Sequence, residues 1–245
     1  IGLRSGVYAF RLFIEQDGAA EEVHDFGGRY VARTIPVDGE ISFATAAGVV
    51  YDEAAERWRS VPTVFRVLPD GSVAAVIRSV TNSLYAVIDT PRTFADMESH
   101  WARDAVHALA SKQIVSGVDG VRFAPGETVT RAQFAVMLAA ALGLPESETA
   151  AFRDVASGTW YSGAVGAAAQ YSLVNGYDDG TFRPGERITR EQMMALMMRA
   201  YRMAAPGAGT PAAELAAYHD ADRVSGWAAG DVRAAVALGI VQGQP

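Results

Sequence analysis

The chain has 245 residues, half of them apolar, with a formal charge of -7 and a sequence pI near 5.1. That is enough apolar material for a buried core. The acidic balance, with arginines scattered and lysine nearly absent, excludes the clustered basic surface that nucleic acid requires. Cysteine is absent, which removes disulfides, thiolate metal sites and cysteine nucleophiles.

No run of about 18 apolar residues is present to span a bilayer, so membrane insertion is not expected. The chain begins at Ile1 with no Met and no basic-then-apolar leader. It reads as a piece of a longer protein whose export signal lies upstream.

From Val7 to about Asp89 short runs alternate apolar and polar residues between turn dipeptides. The run from Val7 to Ile14 leads to Asp17-Gly18, that from Tyr30 to Val37 to Asp38-Gly39, and that from Val61 to Leu68 to Asp70-Gly71. Asp-Gly between β-rich runs predicts hairpins, because both central positions of a type I′ turn need positive φ. Several such units predict a small antiparallel sandwich or barrel. After Thr90-Pro91 the pattern becomes Ala-rich with helical spacing. Trp101, Ala105, Ala108 and Leu109 are predicted to share one helix face, and Phe134, Met137, Leu138 and Leu142 another.

This second half repeats. Phe94-Ala95-Asp96 returns as Phe152-Arg153-Asp154 and Tyr218-His219-Asp220, and Trp101 returns 59 and then 67 residues on, as Trp160 and Trp227. Ile114-Val115-Ser116-Gly117 returns as Leu173-Val174-Asn175-Gly176 and Ile240-Val241-Gln242-Gly243 at the same displacements. A Pro/Gly/Ala stretch, Ala204 to Ala213, lengthens the second interval and reads as a flexible linker. Each unit predicts a Trp-led helix (Trp101 to Lys112, Trp160 to Ser172), a glycine turn, an extended Phe-x-Pro loop, and a second helix opening at Thr130 or Thr189. Thr130-Arg131-Ala132-Gln133 and Thr189-Arg190-Glu191-Gln192 fit the capping box, in which Thr accepts from the N3 amide and Gln reaches back.

Aromatic-x-Asp, His100-Trp101-Ala102, Ile114-Val115-x-Gly117, the run from Tyr177 to Pro184 (Tyr-Asp-Asp-Gly-Thr-Phe-Arg-Pro) and Thr-Arg-x-Gln, spread over three tandem units in register across roughly residues 94 to 245, resemble the S-layer homology domain. The resemblance implies a multidomain α+β chain. A β-sandwich-like domain (1–92) precedes helix-loop-helix repeats at 93–150 and 151–204, a linker at 205–216 and a partial third repeat at 217–245, packed with pseudo-threefold symmetry. It implies an extracellular protein of a Gram-positive type of bacterium, held in the cell wall or S-layer by secondary cell-wall polysaccharide, commonly pyruvylated, in grooves between repeats; surface-layer association is a further expectation. The segments from Arg57 to Phe65 and from Asn82 to Val87 resemble the β domain that often precedes such repeats in large secreted surface proteins.

The same resemblance carries Arg131 and Arg190 over as ligand residues, beside Thr130 and Thr189. A guanidinium meets a carboxylate with two parallel hydrogen bonds, and unpaired amides at a helix start favour an anion. The blander reading is a capped helix with a solvated arginine. Gln133 and Gln192 replace the acid usual in the family, which keeps the cap and puts any contact made by that acid in doubt. Trp160 and Trp227 can stack on a sugar, although a Trp at a helix start, Trp101 included, is more often core. Asp154, like Asp96 and Asp220, reads as a cap for the segment that follows. Gly117 and Gly176 read as tight turns whose amides can face a ligand. Asp178-Asp179-Gly180 invites calcium, yet no further acid stands at the required spacing, so a turn is expected.

The third unit stops at Gly243-Gln244-Pro245. Its missing half would leave apolar surface exposed and one groove incomplete, so the most intact groove is expected between the first two repeats. No catalytic residue, metal site or cofactor is predicted. Gly-x-Ser-x-Gly, phosphate-loop and His-Glu-x-x-His patterns are absent, and His24, His100, His107 and His219 are dispersed and read as surface residues. The expectation is non-catalytic anchoring. Alternatives are the anchoring tail of a larger polysaccharide hydrolase, a paired-carboxylate glycosidase within the chain, and a β domain that itself binds, in place of serving as a spacer.

Overall fold

The computed structural model describes residues 2–53, 55–148 and 151–242. Among these the strands run, in chain order, β1 Tyr8–Ala9, β2 Phe13–Gln16, β3 Ala19–Glu22, β4 Val31–Val37, β5 Ala46–Asp52, β6 Arg57–Val61, β7 Thr63–Val67, β8 Val73–Ser79 and β9 Leu84–Asp89. The helices are α1 Arg103–Ser111, α2 Arg131–Leu142, α3 Ser162–Gln170, α4 Arg190–Ala204 and α5 Ala229–Ala237, with 3-10 turns at Ala95–Met97 and Ala221–Arg223. Two compact units result. One holds residues 1–127 and 139–146, the other 128–138 and 147–245.

In the first unit, turn chemistry decides the pairing only in part. Asp17 (φ 53°) and Gly18 (φ 80°) join β2 to β3 as the two-residue type I′ turn predicted. Gly71 (φ 83°) closes a longer connection between β7 and β8, with its N–H donating to the Leu68 carbonyl at 2.9 Å. The hairpin expected at Asp38-Gly39 does not form, because β4 pairs with β8 and β5 pairs with β6 and β9. There Gly39 only turns the chain from one sheet to the other.

The sheets run β1-β9-β5-β6 and β4-β8-β7, with β2-β3 a separate ribbon. Ile35, Ala75 and Ile77 from one sheet meet Val50, Val61, Tyr85 and Val87 from the other in a single buried cluster, the packing of a sandwich. Gly48 on β5 lets the layers approach. A Cβ there would lie 2.2 Å from Thr63 Oγ1 and 2.8 Å from Ile77 Cγ1. Arg33 shares the buried face of β4 with Ile35. Its guanidinium donates to the carbonyls of Val31 and Thr81 (both 3.1 Å) and to Asn82 Oδ1 (2.6 Å), and packs over the Phe10, Phe26 and Tyr85 rings. The β domain also grips the end of α2, where Tyr30 Oη donates to the Leu142 carbonyl at 2.7 Å and Arg59 Nη1 to that of Gly143 at 2.6 Å.

The Trp-led helices are shorter than predicted. Trp101 and Trp160 stand in the turn before α1 and α3, which open with Arg103 N–H on the His100 carbonyl and Ser162 N–H on that of Thr159. The core reading of the tryptophans is therefore corrected: Trp101, Trp160 and Trp227 are 92%, 67% and 58% exposed. The face predicted for α1 is corrected with them, since Val106, Ala110 and Ser111 are buried while Leu109 is exposed. On α2, Leu138 and Leu142 are buried as expected, and small residues, Ala132, Ala135 and Ala139, fill the rest of that face.

All three first helices end alike. Gln113 (φ 58°), Ser172 (φ 56°) and Gly239 (φ 67°) occupy equivalent left-handed positions. The next amides, of Ile114, Leu173 and Ile240, reach back to Leu109, Ala168 and Ala235 carbonyls at 2.9, 2.8 and 2.9 Å, the Schellman arrangement. Only the third repeat uses glycine, which bears that φ without a Cβ clash.

Two stability measurements follow from this packing. Gly48→Ala is expected to cost about 1–3 kcal/mol in urea unfolding, because Thr63 and Ile77 must give way. Ser172→Gly is expected to raise stability by roughly 1 kcal/mol by removing a Cβ from a left-handed residue; a loss would show that the serine makes a compensating contact.

Candidate functional site

The first two repeats are each organised around the aromatic-x-Asp entry. The Phe94 and Phe152 rings lie 5.5 and 5.3 Å from Phe123 and Phe182 of their own extended loops. The Asp96 carboxylate accepts the amides of Phe123 (2.9 Å) and Ala124 (2.7 Å), and Asp154 accepts those of Phe182 and Arg183 (both 2.7 Å). Ala124 and Arg183 are left-handed, at φ 63° and 57°. These aspartates hence do not cap the segment that follows them; they hold a loop 27 to 29 residues downstream. The amide bonds, that of Phe123 first, hold the Asp96 carboxyl below its ordinary pKa. His107 belongs to this frame too, corrected from the surface reading: half-buried, its Nε2 accepts the Phe94 N–H at 3.2 Å.

Gly117 and Gly176 are places of close approach. A Cβ on Gly117 would meet the Arg122 carbonyl at 2.3 Å and the Phe94 ring at 2.5 Å, and one on Gly176 the Phe152 ring at 2.4 Å. Gly176 alone of the two has positive φ, 66°. Beyond it, Tyr177 N–H donates to Thr181 O at 2.8 Å and Asp179 accepts the Thr181 amide and hydroxyl at 3.0 and 2.5 Å. Asp178-Asp179-Gly180 is a turn. Among the described residues no cluster of three or more metal-ligating side chains occurs.

Both capping boxes form. Gln133 N–H donates to Thr130 Oγ1 at 3.2 Å and Thr130 N–H to Gln133 Oε1 at 2.8 Å, and the Thr189–Gln192 pair matches at 3.2 Å each way. The arginines that follow differ sharply. Arg131 is 8% exposed, so the solvated-cap reading fails for it. Its Nε donates to the Phe182 carbonyl at 2.8 Å, and its guanidinium lies 4.8 Å from the centres of both the Tyr177 and Phe182 rings. Burial pushes its pKa down, and the Tyr177 and Glu186 groups partly offset that. Nor are its helix-start amides unpaired: Arg131 N–H donates to Glu186 O at 2.8 Å and Ala132 N–H to Pro184 O at 3.1 Å. Thr130 bridges Arg187 as an isolated β pair.

Arg190 is exposed. It lines a cavity of about 600 Å³ with Met194, Tyr218, His219, Val232 and Gln242, and the Arg190 and Glu191 amides have no partner among the described residues. The cavity floor is the core between α4 and α5, where Met194, Met198, Val232 and Ala235 pack with Leu215. Leu215 lies in the stretch read as linker, and Ala213 N–H there donates to the Arg233 carbonyl at 3.1 Å. Gly243 to Pro245 lie outside the described residues.

Of the predicted set, Arg131 and Asp154 come together at Phe182, and Thr130 bridges Arg187 further along the same loop. Gly176 opens that same loop, whereas Arg190 sits at a separate cavity. Sequence reading missed Tyr177 and Arg183 as partners: the Arg183 guanidinium stacks 3.9 Å from the Tyr177 ring and pairs with Asp179 and Glu186. An arginine and an aromatic spaced within one Gly-turn motif were the available signal. Also missed was Glu191, whose carboxylate accepts the Ser225 amide and hydroxyl at 3.0 Å each.

Replacing Asp154 by Ala strands two amides, and a loss on the order of 2 kcal/mol is expected in thermal or urea unfolding. Asp179 offers a pH test. Hydrogen bonds from Thr181, with Arg183 adding, lower its carboxyl from 3.8 to about 2. Because the folded-state value is the lower one, its contribution is complete above pH 3.8 and disappears as pH falls through about 2. Asp179→Asn should therefore flatten the melting temperature against pH across that window; an unchanged profile would remove the turn from the acid response.

The sequence matches the S-layer homology domain family over residues 93–135, 151–194 and 217–245. It is 37% identical over 184 residues to an amylopullulanase of Thermoanaerobacterium thermosulfurigenes, covering 72% of this chain and 10% of that protein. Over 167 residues it is 35% identical to exoglucanase XynX of Acetivibrio thermocellus (68% and 15%), and over 150 residues 33% identical to the S-layer protein sap of Bacillus anthracis (60% and 18%). The chain thus spans between a tenth and a fifth of the length of these relatives. No described helix is long and apolar enough to cross a membrane. S-layer homology domains are non-catalytic modules that anchor proteins at the cell surface, and with three of them in register this chain belongs to the S-layer homology family of cell-surface proteins.

Proposed function

We propose that the repeats bind an acidic, pyruvylated secondary cell-wall polysaccharide through the arginine-led starts of their second helices, and that the three repeats pack with pseudo-threefold symmetry around those grooves. The observation that carries the reading is Arg190: an exposed guanidinium at the first position of α4, over two unpartnered amides, on the wall of a cavity large enough for a sugar. A carboxylate there gains two parallel guanidinium bonds and the positive end of the helix dipole. Arg131 serves the first groove differently, since its Nε and helix amides are already engaged and only its outer nitrogens remain for a ligand. Exposed Trp160 and Trp227 offer flat apolar faces of the kind that stack on sugar rings. Thr130, Thr189, Gly117, Gly176 and Asp154 act in this reading by shaping the arginine-bearing helix starts and the loops beside them.

A second reading concerns cargo, and the names of two relatives favour it: an amylopullulanase and an exoglucanase carry the matching region within far longer chains. In that reading this chain is the anchoring part of a surface polysaccharide hydrolase whose catalytic domain lies elsewhere.

The test is binding to purified sacculi, native and chemically stripped of secondary polymer. Arg190→Ala is the cleaner variant, because that side chain is exposed whereas Arg131→Ala also removes a buried contact. Saturable binding, lost on stripping and weakened roughly tenfold by Arg190→Ala, is the expected result. Equal binding to stripped walls, or an Arg190→Ala, Arg131→Ala double variant that binds normally while folded, would reject the arginine mechanism.

A further inference from the structure

A second cavity, of about 290 Å³, lies within the first unit and is lined by neither Arg131 nor Arg190. The corner at Pro62 between β6 and β7 makes one wall, bringing Ser60 and Thr63 beside Arg78 of β8, whose N–H donates to the Pro62 carbonyl at 2.8 Å. The helical side supplies Lys112, directly after α1, with Ile114 and Ala141.

The polar lining has one sign of charge. Lys112 is the single lysine of the chain, Arg78 is the other ionised group on the wall, and none of the 28 acidic residues contributes. Among the described residues neither cationic side chain enters an ion pair or hydrogen bond. Ser60 also lies on the cavity wall, and its hydroxyl has no partner among the described residues. Thr63, by contrast, is committed, donating to Val61 O at 2.8 Å and accepting from Gly48 N–H at 3.1 Å. The carbonyls of Leu109 and Ala110 at the end of α1, which would repel an anion, are taken up by the Ile114 and Gln113 amides.

We propose that this cavity binds a small organic acid of about monosaccharide size. Lys112, Arg78 and the Ser60 hydroxyl take its carboxylate or phosphate, and Val61, Pro62 and Ile114 pack its body. The volume sits near the lower end of ligand pockets, about 300 Å³, and the unpaired cations supply charge-assisted bonds to an oxyanion. This site is independent of the groove reading, for it shares no residue with Arg131 or Arg190.

The experiment titrates the full chain with D-glucuronate, glucose 6-phosphate and D-glucose by calorimetry, and follows the Ser60 and Lys112 amides by NMR. At least one of the two acids is expected to bind at millimolar concentration and shift both amides, with glucose inert; whichever acid binds more tightly tells carboxylate from phosphate. Arg78→Gln with Lys112→Gln should weaken that binding roughly tenfold or more, and Ser60→Ala should weaken it less, while in Arg190→Ala the Ser60 and Lys112 amides should still shift at the same concentrations. Absence of binding by either acid, equal binding of glucose, or full affinity in the folded double variant would overturn the proposal. Loss in Arg190→Ala alone would likewise overturn it, by moving the acid to the groove.

Discussion

A carboxylate holding two successive backbone amides across nearly thirty residues is the contact on which the first two repeats depend. Asp154 takes the Phe182 and Arg183 amides, and Asp96 those of Phe123 and Ala124. Two charge-assisted bonds offset the strain of the left-handed residue at the second position of each pair. With the amides fixed on one side, the ring of Phe182 turns onto Phe152 and its carbonyl faces the other way, where Arg131 donates to it. The repeat's entry motif therefore decides what the arginine of the preceding repeat meets.

That dependence explains why one motif yields two environments. Thr130-Arg131 and Thr189-Arg190 build the same capping box, but the first helix start docks on a loop whose Pro184 and Glu186 carbonyls satisfy its amides. The second opens on an apolar cavity beside Tyr218. The donors are fixed and partly engaged at the first start, while at the second the Arg190 and Glu191 amides have no partner among the described residues. Buried and half-buried guanidiniums recur elsewhere with equally local solutions. Arg33 is held by carbonyls and three aromatic rings, whereas Arg59 is paired with Asp52 and the Gly143 carbonyl. Desolvation lowers the pKa of both.

The repeat, its three aromatic-x-Asp entries, both capping boxes and the sandwich-like β half were legible in the sequence, since each rests on contacts between residues close in the chain or on strict periodicity. The family could be read for the same reason, from motifs recurring in register. The positions of the tryptophans were not. A Trp ahead of an Ala-rich helix has the pattern of a core residue, and only the turn that precedes α1 and α3 places its ring outward. The Asp38-Gly39 turn misled in a similar way: its local chemistry is that of a hairpin, but which strands pair is settled by the two-layer core.

The sequence by itself determined the starts of the second helices and their capping boxes, because hydrogen bonds spanning three or four residues are set by local order. Tertiary structure alone decided which arginine is buried and which is open, that Asp154 serves a distant loop, and that Lys112 and Arg78 share a cavity wall with Ser60. Those outcomes depend on desolvation and on partners tens of residues away, and no local pattern encodes how much water a side chain loses when the chain closes on itself.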